Sequence, residues 1–168
     1  MRKLVLVMAA IGALAVASGV QASTLGDTAI GAGRTAPCLV GGGPFPPCTF
    51  PARTFSFFAL ATPGGGAFGL YTHRTTAGTV VVARVTCIEV EGKKAAIGGT
   101  SFTSGGVMFP GPWTVQIVDT GPVEDLISPF TFDPDGLTKP CASLVAEAGY
   151  FPVESGGILV RDGTIVGP

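Results

Sequence analysis

Apolar and polar positions alternate along most of the chain, in short runs separated by glycine and proline. Arg53-Thr-Phe55-Ser-Phe57-Phe58-Ala-Leu60 is aromatic and roughly alternating, and Pro63-Gly-Gly-Gly66 forces a turn before Ala67–Arg74 resumes the pattern. Thr79–Val90 is too rich in β-branched residues for a helix and reads as the clearest strand. Its phase changes part-way: Val81, Ala83, Val85 and Cys87 share one face, whereas Ile88 and Val90 are the apolar positions afterwards. One extra residue near Cys87–Ile88, a β-bulge, would reconcile the two halves. Glu91-Gly92-Lys93 then predicts a hairpin turn into Lys94–Ile97 and on to Phe102. Trp113, Val115 and Ile117 alternate on one face of the run ending at Asp119, and Leu126–Phe132 and Gly157–Arg161 complete about seven strands. Only Ala142–Ala148 has helical composition. Short strands with Gly/Pro turns predict an all-β fold, either a sandwich or a small barrel. The spacing is common to both. The sandwich, single and antiparallel, is the arrangement expected over residues 53–168.

Two stretches lie outside this pattern. Met1-Arg2-Lys3 is a short basic region, Leu4–Val20 is an uncharged apolar run, and Val20-Gln21-Ala22 supplies small residues at −3 and −1. Together they form a secretory signal peptide over residues 1–22, helical while it lasts, with cleavage between Ala22 and Ser23. A retained anchor is the competing reading, but about seventeen apolar residues are at the short edge for spanning a bilayer. Residues 23–52 form a second segment. Within it, Ser23–Pro37 is small and polar without apolar periodicity and is expected to lie loosely on the surface.

Composition sharpens the compartment more than the fold. Of 168 residues 46% are hydrophobic and 12% charged, with 26 Gly, 14 Pro and 11 Phe. There is no Asn, so turns rely on Gly, Pro and Asp. Removing residues 1–22 takes away two of the ten cations, so eight face eleven carboxylates. No run of Lys or Arg exceeds two, which sets nucleic acid aside as a partner, since phosphate neutralisation needs clustered cations. Four cysteines in an exported chain form a disulfide framework before anything else. Of the three pairings, Cys38–Cys48 is expected because it closes the Gly/Pro-rich loop between them, leaving Cys87–Cys141. No Cys-x-x-Cys spacing and a single His argue against zinc.

The segment Ala83-Arg-Val-Thr-Cys87-Ile-Glu-Val-Glu-Gly92-Lys-Lys-Ala95-Ala-Ile-Gly-Gly99 resembles the central hairpin of a family of small secreted β-domain proteins of actinobacteria. Val118–Pro122, Asp125–Ser128, Pro140-Cys141 and Ser155–Asp162 agree in order, so the likeness spans about Phe55 to Asp162. Lys93-Lys94 stands where that family often has Asn-Arg, and the Cys38–Cys48 segment lies outside it. The resemblance implies an extracytoplasmic β-domain with a Cys87–Cys141 pair, and it implies no activity.

Candidate chemistry is sparse. His73 is the only histidine, and a serine or cysteine nucleophile would need it as base. It stands at a strand end in Tyr71-Thr-His73-Arg74, with no Gly-x-Ser-x-Gly elbow in the chain, and is expected to face solvent. Asp119, Glu124 and Asp125 fall in one Gly/Pro-rich connection and are the calcium candidates, since calcium takes oxygen ligands in flexible loops. They lack EF-hand spacing, as does Asp133-Pro-Asp135-Gly136, and ordinary turn chemistry explains both stretches. A glycoside hydrolase would need two facing carboxylates and aromatic platforms, but one Trp and two Tyr are few. Gly31-Ala-Gly33-Arg-Thr-Ala36 matches Gly-x-Gly-x-x-Ala without the strand before it or the helix after it that a dinucleotide site needs. Trp113 is expected in the core. The expectation is an exported, non-catalytic β-domain, structural or adhesive, binding an extracellular ligand or surface component. It needs no cofactor beyond the calcium candidate and leaves the membrane once the signal peptide is cut. The alternatives are a carboxylate-based extracellular hydrolase and a calcium-stabilised module.

Overall fold

A computed structural model describes residues 26–37, 51–132, 141 and 149–163. The strands are β1 (Thr28–Thr35), β2 (Arg53–Ala61), β3 (Ala67–Thr75), β4 (Val80–Val85), β5 (Cys87–Glu91), β6 (Lys94–Ser104), β7 (Val107–Val118), β8 (Leu126–Ile127), β9 (Thr131–Phe132) and β10 (Phe151–Arg161). No helix occurs among the described residues. The signal peptide, the Ala22/Ser23 cleavage point, the Cys38–Cys48 pair and the short helix at 142–148 lie outside them.

The sandwich expectation is corrected to a barrel. β1 to β4 meander antiparallel, β4 pairs β6, β6 pairs β7, β7 pairs β8, β8 pairs β10, and β10 returns to β1. That circuit of eight strands has no free edge, so the exposed ladders of an open sheet are removed. β5 lies beside the first half of β6, and β9 beside β7. The closing ladder runs from Thr28 opposite Arg161 to Thr35 opposite Val153, with an irregularity between Arg34 and Thr35.

The loose-segment expectation fails for Thr28–Thr35, which is a central barrel strand between β2 and β10. Its inward positions are Ala29, Gly31, Gly33 and Thr35, so the alternation is present but written in small residues. They are small because the neighbours are large. A Cβ on Gly31 would sit 2.6 Å from the Phe57 ring, and one on Gly33 would sit 2.4 Å from the Ser155 carbonyl oxygen. The Gly31–Ala36 motif therefore lies mostly within a strand and has no phosphate loop to offer.

The phase change in Thr79–Val90 is real, with Val81, Ala83 and Val85 buried and then Ile88 and Val90 packed against the core. Its cause differs from the expected insertion. β6 changes face over the same stretch, from Ala95 and Ile97 to Phe102, so Ala83–Phe102 and Cys87–Gly98 keep one register on either side of the break at Thr86. The unequal count appears on the other side of β6, in its ladder with β7 between Gly99 and Ser101.

The barrel is filled by side chains. Trp113, Tyr71, Phe151, Ile97 and Ile117 are among the largest that are fully buried, and Trp113 stacks on Phe130 with centroids 5.3 Å apart. The outside is unusually apolar in one place. Leu159, Ile30, Phe58 and Leu70 lie opposite one another across β10, β1, β2 and β3, each exposed by 40–47%.

Candidate functional site

The alternation that puts Phe55, Phe57 and Ala59 inside the barrel also carries Arg53 inside, at the end of β2. The same holds on β3, where Tyr71 is interior and His73 follows two residues later. Across the β2–β3 ladder, Phe55 faces His73 and Arg53 faces Thr75, so the guanidinium and the imidazole share one end of the interior. Both are buried, at 7% and 8% exposure. The expectation that His73 faces solvent is thus overturned. Parity held the missing signal: Arg53 is two positions from Phe55, and His73 two from Tyr71.

Around these groups is a cavity of about 240 Å³, walled by Phe102, Phe130, Phe132 and Phe151 with Arg53 and His73 on its lining. One Arg53 terminal nitrogen donates to the Ser128 carbonyl, and the guanidinium carbon sits 4.6 Å from the Phe151 ring centre, a cation–π contact. Its Nε–H finds no acceptor among the described residues. Among the described residues, the ion pairs are Arg34–Glu154 and Lys93–Asp119, so Arg53 has no carboxylate partner there. Burial lowers its pKa below the ordinary arginine value, partly opposed by Tyr71, yet an arginine remains charged at neutral pH.

His73 responds to this setting. Burial first, and the Arg53 charge second, lower its pKa from 6.5 to about 4. The ring is therefore neutral at pH 7. Its Nδ1 lies 3.2 Å from the Tyr71 hydroxyl. Burial raises the Tyr71 pKa, so the phenol keeps its proton and can donate it to Nδ1, which leaves the imidazole's own proton on Nε2.

Linkage gives a first expected result. The unfolded chain takes up the histidine proton near pH 6.5, and the folded one does so only near 4. Stability therefore falls as pH drops from 6.5 towards 4, and this contribution levels off below that. The loss is about 2 to 3 kcal/mol, allowing for the ring's place beside an open mouth. Urea titrations at pH 7 and 4.5 check it: His73→Leu should show a flatter profile, and equal slopes in both proteins would refute it.

The calcium candidates are placed elsewhere, at the β7–β8 connection. Asp119 Oδ2 accepts from Lys93 Nζ at 3.0 Å and Val160 N at 3.1 Å, and Oδ1 accepts from Gly121 N at 2.9 Å. Burial would raise its pKa, but the bonds from Val160, Lys93 and Gly121 together outweigh this and lower it. Asp125 receives Thr120 N at 3.0 Å and Ile158 N at 2.7 Å, and Glu124 is exposed. The two aspartates tie the connection to β10. Among the described residues no three acidic, His or Cys side chains converge as a metal site. Cys87 is joined to Cys141, with Cα atoms 6.1 Å apart.

The chain matches no family model, no curated protein and no solved structure.

Proposed function

We propose that the protein is an exported, non-catalytic binding domain acting outside the cytoplasm, with the cavity at the barrel end as its ligand site. The observation that carries this reading is the pocket itself: an open, mostly apolar space at the barrel end beside a buried guanidinium that has no carboxylate partner among the described residues. Eight strands are the size at which an interior either fills completely or holds one small ligand, and a pocket with few convergent polar groups is the usual form of such a site. The residue 1–22 pattern and the disulfide support an extracytoplasmic setting, as does the actinobacterial family that the hairpin resembles. For catalysis, His73 is bonded to a phenol instead of a nucleophile, and the two buried aspartates spend their oxygens on backbone amides. Those facts favour binding over the carboxylate-based hydrolase.

The test has two arms. Expressed from the full chain, the protein should be recovered outside the cytoplasm beginning at Ser23. The exported chain should also give a saturable change in the fluorescence of Trp113, its single tryptophan, when titrated with benzyl alcohol, because Trp113 stacks on the cavity-lining Phe130. Retention in the cytoplasm would refute export. An unsaturable response would refute the ligand site.

A further inference from the structure

We infer that the cavity takes a small organic acid, its carboxylate on the Arg53 guanidinium and its apolar body against the phenylalanine wall. This rests on the reading of the cavity as a ligand site and adds the chemical class of the ligand.

Three observations carry it. The first is charge. A buried guanidinium has lost hydration that an anion in well-aligned geometry can replace. Among the described residues Arg53 has one carbonyl acceptor, one aromatic face and an Nε–H with nothing to bond. A guanidinium binds a carboxylate through two parallel N–H donors, the geometry an ammonium lacks. His73 is neutral and brings no second charge, so the site suits a single negative charge.

The second is the wall. Four phenylalanines line the space, so a ligand of charge alone would leave most of the surface unused. An apolar cavity of about 150 Å³ is enough for benzene; the 240 Å³ here accommodates a ring or short chain with a carboxylate attached. The third is the approach. Arg53 also lines an adjoining groove with Arg34 and Arg74; Arg34 is paired with Glu154 at 4.0 Å, yet the groove's own lining is positive and favours anions nearby.

The experiment uses the exported chain with benzoate, benzyl alcohol and benzylamine at pH 7, read by Trp113 fluorescence and by the NMR signal of the Arg53 Nε–H. Benzoate should bind at least tenfold tighter than benzyl alcohol, benzylamine should not bind, and the Nε–H signal should move with benzoate saturation. Arg53→Met should erase the preference, and Arg53→Lys should keep only part of it. Should Arg53→Met fail to fold, the wild-type Nε–H signal still decides. Benzyl alcohol binding as well as benzoate would overturn the acid while leaving the ligand site intact, and no saturable binding by either would overturn both. A benzoate titration that leaves the Nε–H signal still also overturns the inference. Asp133 and Asp135 follow Phe132 in the chain and lie outside the described residues. If Asp133→Asn with Asp135→Asn tightens benzoate binding tenfold, the chain supplies its own anion and the inference fails; unchanged binding supports it.

Discussion

Replacing both Cys87 and Cys141 with alanine should cost the folded protein about 4 kcal/mol, a fall of roughly 10–15 °C in Tm. The bridge joins residues 54 apart in sequence, and closing a loop of that length removes this much entropy from the unfolded chain. Cys87 opens β5, a five-residue strand whose ladder among the described residues is with β6 alone. Cys141 lies close over Gly98 on β6, where an added Cβ would stand 3.2 Å from its sulfur. The disulfide therefore ties Cys141 to the β5–β6 hairpin. Guanidinium titrations of oxidised wild type, reduced wild type and the double variant check it. The reduced and substituted forms should coincide well below the oxidised one. A difference under about 1 kcal/mol would mean that other contacts already hold the loop closed.

The second large effect is expected at Asp119. Its carboxylate is 5% exposed and holds three N–H donors from three places, the β5–β6 turn at Lys93, the turn at Gly121 and β10 at Val160. Asp119→Ala strands the Val160 and Gly121 amides and frees the Lys93 ammonium, at a cost of about 3 to 5 kcal/mol. Glu124→Ala, at an exposed position in the same connection, should change stability by less than about 0.5 kcal/mol. The pH dependence has a definite sign. A lowered carboxyl pKa contributes stability that is fully present above the unfolded value near 4 and is lost as pH falls through the folded value. Wild type should thus lose stability on the acid side of the His73 window, and Asp119→Ala should lack that limb. These oxygens are already filled, so millimolar calcium should leave the wild-type Tm where EDTA leaves it. Equal stabilities for the Asp119 and Glu124 variants would remove the carboxylate from this structural role.

Several strands were legible because their side chains announce the period. Arg53–Phe57 and Trp113–Ile117 carry their large apolar residues on every second position, and Gly92 marks the hairpin. β1 was not legible, since the same alternation in Ala29, Gly31 and Gly33 has almost no hydrophobic contrast. Its smallness is a property of Phe57 and Ser155 across the ladders, residues far away in sequence. β10 was seen only from Gly157, because Phe151–Val153 and Ile158–Val160 point inward on opposite phases across a bulge. The Arg53–His73 site was hidden for a different reason. Both residues are polar and stand at strand ends, where solvent is the ordinary expectation, and only their parity with Phe55 and Tyr71 indicates the interior.

By itself the sequence determined the β class, the positions of the main turns and the inward face of Trp113, Val115 and Ile117, because these depend on neighbours one to four residues away. It also set the inventory from which any site must be built: one histidine, four cysteines and few charges. Closure into a barrel was decided only in three dimensions. An inward face looks the same along a strand whether it meets an opposite sheet or curls round to meet itself, and the deciding contact joins Thr28 to Arg161. The candidate site follows from that closure, since Arg53 and His73 are interior groups only because eight strands surround them.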